Sequence, residues 1–350
     1  MAEVTPPPAP APGSPPAAAT APGARVGDLR AGTRVVVRHR LPDGSARDAL
    51  GDLVGADAAT LRVATRRGEV VVARADVIAA KAVPPPPVRR GRPHTAIGVE
   101  DLERVMAEHW RPLERRDLGG WRLRAGGGFT GRANSALAVG DPGLDLPGAL
   151  ARVEAFYAER GLPALVAVPH PAPGLGEDLD VVALLAARGW AVRTPTLVMT
   201  VATDDLAGAA EVPLPPGARV VTSATPDEDW LARYRYLGSP GVPPAGRRIL
   251  VSADEQVFVR VLDGEETVAI ARGSLSPGWA GVTAVETVPA HRRRGLGRRL
   301  LAEVADWARS RGAASTYLQV SADNTGARAL YGGAGFGVHH AYHYRVAPPS

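Results

Sequence analysis

The chain has no cysteine, a single lysine at Lys81, and only 5% aromatic residues in 350. Without thiols there can be no disulfide framework, thiolate zinc site or cysteine nucleophile, and a reducing cytoplasm is the expected location. No apolar run approaches the length that spans a bilayer, so no membrane association is expected. Charge of one sign is also scarce. Lys plus Arg number 41 against 36 Asp plus Glu, a net +5, too small on this length to argue for nucleic acid as a partner. The arginine, alanine, glycine and proline excess reads mostly as background composition. What remains, 45% apolar and 22% charged, suffices for two or three packed domains.

Residues 1–24 are almost wholly Ala, Pro, Gly, Ser and Thr, and predict a disordered tail. Glu3 and the scattered prolines do not fit an export signal. From 25 to 83 short alternating runs, Thr33 to Arg38, Ala49 to Val54, Thr60 to Ala64 and Glu69 to Ala73, alternate with turns at Pro42-Asp43-Gly44 and Arg67-Gly68. They predict a small SH3-like β-barrel. It lacks the exposed aromatics that stack bases, so a docking module is preferred to an RNA binder. Residues 84–96, Pro- and Arg-rich, form a stiff linker. Two α/β stretches follow, at 97–205 and 215–347. In the first, Val99 to Trp110 and Leu150 to Arg160 have helical spacing; Trp121 to Arg124, Leu165 to Val168 and Thr196 to Val201 look like strands.

The densest signal lies at 281–311. Thr283 to Val288 reads as a strand, Arg292-Arg293-Arg294-Gly295-Leu296-Gly297 as a turn, and the rest as an amphipathic helix. That helix has Leu300, Leu301, Val304, Trp307 and Ala308 on one face. Unpaired amides at a helix start, with glycines and arginines around them, suit a phosphate. The dinucleotide fingerprint is absent, because Arg298, Arg299 and Leu300 follow Gly297. The stretch Val288 to Gly297 resembles the acetyl-coenzyme A loop of the GCN5-related N-acetyltransferases (GNAT). Downstream the family order continues: strand Thr316 to Val320, Asn324, Ala327-Arg328-Ala329-Leu330-Tyr331, Gly335-Phe336, and a last strand near Tyr342 to Val346. One departure is Arg293, where many members carry glycine.

The resemblance implies an α/β (α+β) GNAT fold with a mixed sheet, and acetyl-CoA as cosubstrate without a metal. It implies direct transfer to a primary amine, since no cysteine is present to carry the acetyl group. The backbone at Arg293, Arg294, Gly295, Leu296, Gly297 and Arg298 would hold the pyrophosphate, with Arg292 and Arg298 adding charge. Thr287 and Val288 would pair with the pantetheine arm, Asn324 would steady it, and a strand N–H near Val288 would meet the oxyanion. Tyr331 would be the acid for the departing thiolate, and Glu286 the base, unless it is only a solvated strand carboxylate.

Laying Arg160-Gly161 on Arg311-Gly312 keeps the helix face, with Leu150, Val153 and Phe156 in place. The same register puts Asp141, Leu144 and Leu146 where Arg292, Gly295 and Gly297 stand. A parallel alignment of Gly189-Trp190 on Gly335-Phe336 puts Leu185 at Tyr331. The first half is thus expected to be a degenerate GNAT-like copy that does not bind the coenzyme. Its polar run Gly126 to Ser135 reads first as a flexible hairpin, second as a loop reaching the acceptor site. Barrel, lapsed copy and intact copy together resemble an actinobacterial group linked with N-acetylglutamate synthesis. That resemblance makes glutamate the favoured acceptor, with Arg132, Arg235 and Arg272 as candidate carboxylate ligands. The alternatives are a protein or nucleoid-protein lysine acetyltransferase, and a non-catalytic sensor of acetyl-CoA or an amino acid. His339, His340 and His343 are close in sequence, and a regular strand would put His339 and His343 on one face, but strand packing is preferred to a metal site.

Overall fold

The structure, a computed structural model, describes residues 32–65, 68–83, 91–172, 176, 179–236 and 239–348. The expected tail at 1–24, the turn residue Arg67 and the linker over 84–90 lie outside the described residues. The chain divides into two units, 1–87 and 88–350.

In the first unit, strands β1 (Arg34–Arg40), β2 (Ala46–Ala56), β3 (Thr60–Thr65), β4 (Gly68–Ala73) and β5 (Val77–Ala82) form an antiparallel sheet in the order β4-β3-β2-β1-β5. Period-2 alternation turns Val35, Val37, Leu53, Leu61, Val63 and Val72 into one small core. The strand β5 is one that local pattern does not announce. Its sequence, Val-Ile-Ala-Ala-Lys-Ala, lacks alternation, and only its return to pair with β1 makes it a strand.

The second unit carries two similar series of elements. The first is α1 (Val99–His109), β6 (Glu114–Leu118), β7 (Trp121–Ala125), β8 (Ala136–Leu137), α2 (Leu146–Ala158), β9 (Leu165–His170), α3 (Asp180–Ala187) and β10 (Ala191–Ala202). The second begins with β11 (Ala218–Ser223), α4 (Glu228–Arg233), α5 (Pro244–Leu250), β12 (Glu255–Asp263), β13 (Glu266–Ser276) and β14 (Trp279–Thr287). It ends with α6 (Leu296–Arg309), β15 (Ser315–Ser321), α7 (Thr325–Gly333) and β16 (Gly337–Val346). All these strands join one 11-stranded mixed sheet, ordered β11-β12-β13-β14-β15-β10-β16-β9-β8-β7-β6. Each series contains one parallel pair, β8 with β9 and β14 with β15, bracketing its long helix.

The centre of the sheet is an exchange. The first series' last strand, β10, lies against β15 of the second, and the second series' last strand, β16, lies against β9 of the first. The expected segments 97–205 and 215–347 are therefore intertwined rather than side by side, and 88–350 forms one compact unit. Helix α6 buries the face its spacing predicts: Leu300 and Val304 are fully buried between the helix and β12–β15. Burying each such side chain contributes about 1.5–3 kcal/mol. Among the described residues no helix is long and apolar enough to cross a membrane.

Candidate active site

The site is built where the sheet opens. β14 pairs in parallel with β15 only from Trp279 to Val282. Beyond it Ala284 takes a φ of 56°, and the register against β13 shifts between Ile270 and Arg272. This bulge bends β14 away and leaves the edge from Ala284 to Thr287 without a neighbouring strand on that side among the described residues. Alternation fixes which groups face the gap. Val288 N–H donates to Val268 O at 2.9 Å. Glu286 and Val288 therefore turn their amides to β13, while Val285 and Thr287 turn theirs to the open edge. The expected role of Val288 is corrected accordingly: its N–H is spent on the ladder and its carbonyl accepts from His291 N at 2.9 Å. Thr287 stays at the edge, its carbonyl accepting from Arg292 Nε at 3.3 Å.

After the strand comes the glycine-bearing turn. Arg293 has φ 65° and Gly295 φ 81°, both left-handed, so the chain here folds back sharply before α6. Such a conformation is natural for glycine and strained for arginine, which gives a physical reason for the family's glycine at 293. The backbone amides from Arg293 to Arg298 have no hydrogen-bond partner among the described residues; Arg299 N, donating to Gly295 O at 3.1 Å, is the first to find one. Gly295 caps α6 without a side-chain acceptor. The Arg292, Arg293, Arg294 and Arg298 side chains are exposed, whereas Leu296 is buried in the core and offers the site only its amide. A Cβ on Gly297 would come within 2.8 Å of Leu330, so this glycine sets the approach of α6 to α7. Arg299 is tied to Glu303 and to the carbonyls of Ala209 and Val212.

Tyr331, on α7, is buried against Phe336 at a centroid distance of 6.1 Å, and its hydroxyl has no hydrogen-bond partner among the described residues. Burial, with a smaller push from Glu286, raises this phenol to about 12. Glu286 is half-buried on β14; burial pushes its carboxyl above the ordinary range, against the pull of Arg292 and Arg235. Glu286 is thus close enough to act electrostatically on the Tyr331 phenol. Asn324 is exposed and caps α7, its Oδ1 accepting from Ala327 N at 3.0 Å.

A family model described as "Probable histone acetyltransferase Rv0428c C-terminal" matches residues 97–345, and one described as "Rv0428c N-terminal Sm-like domain" matches 29–81. The chain belongs to the Rv0428c family of GNAT acetyltransferases. The probable histone acetyltransferase Rv0428c of Mycobacterium tuberculosis is 31% identical over 330 residues, 91% of this chain and 95% of that protein. An uncharacterized N-acetyltransferase of Bacillus subtilis, YobR, is 25% identical over 257 residues, 71% of this chain and 98% of that one. Among solved structures, a GCN5-related N-acetyltransferase from Kribbella flavida superposes with TM-score 0.54 at 20% identity, covering 72% of this chain and 96% of its own. A tandem GNAT protein from the clavulanic acid pathway gives 0.52 at 17%, covering 75% and 91%. The fold is that of these GNAT proteins, and the small N-terminal barrel matches an Sm-like domain.

Within this GNAT frame the first series differs at its helix start. Asp145 caps α2 and accepts from Gly148 N at 3.1 Å, with Pro147 beside it. A carboxylate thus occupies the position where α6 leaves its amides free. Helix starts align Asp145 with Gly295, one residue off the register drawn from the helix ends. The Gly126 to Ser135 run is no flexible hairpin. Asn134 Oδ1 accepts from Gly126 N and Gly128 N, and its Nδ2 donates to the carbonyls of Phe129 and Thr130. So braced, the loop carries Phe129 across to the second series, into a cluster with Trp230, Tyr234 and Ile249, with Ala284 of the bulge packed at its margin. Neither the bulge nor the bracing role of Asn134 was anticipated; the only sequence signal was the glycine density itself.

The expected carboxylate ligands part company. Arg272 is fully buried and spends its guanidinium on Leu250 O, His109 O and, at 3.5 Å, Thr283 Oγ1. Arg235 is exposed near Glu286, and Arg132 stacks on Trp110 at 4.5 Å. The histidines are separated by a bulge in β16, between the partners of Val198 and Met199. His339 and His340 both reach the α1 side, to Ile97 O and Glu103, whereas His343 packs against His170 on the other face. The expectation that His339 and His343 share a face is corrected by that irregularity.

Proposed function

We propose that this GNAT protein transfers the acetyl group of acetyl-CoA directly to a primary amine at the opened edge of β14. The observation that carries the reading is the run of amides from Arg293 to Arg298, unpartnered among the described residues, at an uncapped helix start flanked by exposed arginines. This is an anion cradle of the right chemistry for the coenzyme's pyrophosphate. Acetyl-CoA supplies the thioester. The neutral amine adds to its carbonyl carbon and passes a proton to Glu286, whose raised carboxyl is the stronger base for it. An open-edge amide, Val285 or Thr287, donates to the oxyanion. The carbon–sulfur bond then breaks, and the Tyr331 hydroxyl meets the leaving sulfur. A phenol near 12 is protonated at neutral pH, but giving its proton fully to a thiolate of ordinary acidity, ~8.5, would be uphill by about 5 kcal/mol. Tyr331 therefore acts as a hydrogen-bond donor to developing charge.

For the acceptor, the resemblance of barrel, lapsed half and intact half to the group linked with N-acetylglutamate synthesis favours a small amine that bears a carboxylate, with glutamate first. The relative named as a probable histone acetyltransferase favours a lysine side chain of a basic protein as the second reading. A thiol-release assay with acetyl-CoA over amino acids, polyamines and lysine peptides separates the two. Release with glutamate supports the first; release only with lysine peptides or polyamines sinks it.

A further inference from the structure

A second polar site lies away from the coenzyme loop, in a cavity between α1 and the centre of the sheet. Arg124 on β7, Arg132 in the braced loop, Glu103 and Trp110 at α1, Gln319 on β15 and Tyr344 on β16 line it. Both series of elements contribute. Arg124 is buried, and only two of its nitrogens are used: Nε donates to Ser135 O at 2.9 Å and Nη2 to Ser135 Oγ at 2.7 Å. Its Nη1 has no partner among the described residues. The Arg132 guanidinium has neither a hydrogen-bond nor an ion-pair partner among them; it lies on the Trp110 ring. The one carboxylate in the lining, Glu103, is held by His340 Nε2 at 3.0 Å rather than by either arginine.

Arg272 shows what a structural arginine looks like in this protein, with every nitrogen on a carbonyl or hydroxyl. Arg124 and Arg132 instead leave donors unspent around a void. Removing a guanidinium from water without a counter-charge is costly, and one ring face offsets only part of that cost. Two arginines against one carboxylate leave the cavity one positive charge in excess. Its volume, about 20 Å³, admits one or two water-sized groups, the size of a carboxylate head, with half-buried Arg132 at the margin.

We propose that this cavity is a carboxylate-binding site, in which a small carboxylate-bearing ligand presents its anionic head to Arg124 and Arg132 beside Trp110. The carboxylate belongs either to the acceptor amine, in which case the site serves the function proposed above, or to a separate small ligand. The test is calorimetric binding to the full chain without coenzyme, at fixed ionic strength. Acetate, glutarate and glutamate are compared with acetamide, glutaramide and glutamine, on wild type, Arg132→Gln and Arg132→Lys. At least one carboxylate should bind at least tenfold tighter than its amide. R132Q should lose that preference and R132K keep part of it. No carboxylate preference, or an undiminished one in R132Q, overturns the proposal. Steady-state kinetics then separate the sources. If the carboxylate is the acceptor's, acetate competes with that amine and R132Q raises its KM at least tenfold with the KM for acetyl-CoA unmoved. If it is a separate ligand's, acetate changes turnover of an uncharged amine without competing. The binding measurement uses no coenzyme, so its failure leaves the transferase reading standing, and absent thiol release leaves the carboxylate site standing.

Discussion

Replacing Arg293 by glycine should stabilise the protein although it removes a charged residue from the coenzyme loop. Arg293 sits at φ 65°, where a residue with a Cβ pays about 1–2 kcal/mol. Glycine removes that strain but gives back about 0.5–1 kcal/mol through the greater freedom of the unfolded chain. The net gain is about 0–1.5 kcal/mol, centred on ~0.75, or about 2–3 °C in Tm at the centre for a unit of this size. Arg293→Ala is the control, because it deletes the same guanidinium while keeping the strain, and its Tm should stay at the wild-type value. Coenzyme binding should weaken alike in both variants, by no more than about fivefold at low salt and not at all at high salt, since the lost side chain is exposed while the amide remains. Thermal melts of the three proteins, with calorimetric titration of acetyl-CoA at two salt concentrations, give every number needed. A lower Tm for R293G than for R293A would refute the strain argument. A large loss of affinity in either variant would show that the side chain, not the backbone, holds the phosphate.

Tyr331→Phe should cut kcat by about 10² with the coenzyme Kd unchanged, and it should not lower Tm, because the hydroxyl it deletes has no partner among the described residues; a kcat within threefold of wild type would remove Tyr331 from the chemistry. For Glu286→Gln the sign follows from its raised carboxyl. Folding favours the neutral acid, so the group's stabilising contribution is full below its unfolded value and is lost as pH rises through the folded one. E286Q should therefore melt higher than wild type at neutral pH. In activity, wild-type kcat/KM should fall as pH drops through a value above the ordinary carboxylate range, and E286Q should lose both that limb and most of the rate. A fragment of residues 204–350 should not yield a folded monomer, because β15 and β16 both lose their contact with β10; a circular dichroism melt as cooperative as that of the whole chain would contradict the exchange.

The loop and helix at 292–309 were legible because local rules act there in one direction: period-3.6 burial, glycine at a left-handed cap, and no competing acceptor. The strands of the first unit were legible for a similar reason, their alternation matching one buried face. What sequence could not carry is non-local. The exchange of β10 and β16 depends on which edge each strand meets after the chain has folded, and both strands would alternate alike in either partner. The bulge at Ala284 is a backbone event under a side chain that gives no warning of a positive φ. Val288 fell on the wrong side of that bulge, since its distance from the loop says nothing about which way its amide turns. Asn134 looked like one polar residue among several, and only its reach to four backbone groups makes it the brace of the loop.

The first half has a carboxylate at its helix start where the second half has open amides, yet the geometry gives that half a structural part. Asp145 caps α2, β10 supplies the strand on which β15 and β16 both close, and Phe129 reaches the cluster beside the bulge of β14. Arg124 and Arg132 of this half line the cavity it shares with the second half. Ligand binding there would bear directly on β15 and β16, through Gln319 and Tyr344, and Gln319 lies just beyond the point where β14 and β15 part. The division of labour we propose is physical: one half would hold the phosphates, and the other supplies the strand on which β15 and β16 close and the arginines of the shared cavity.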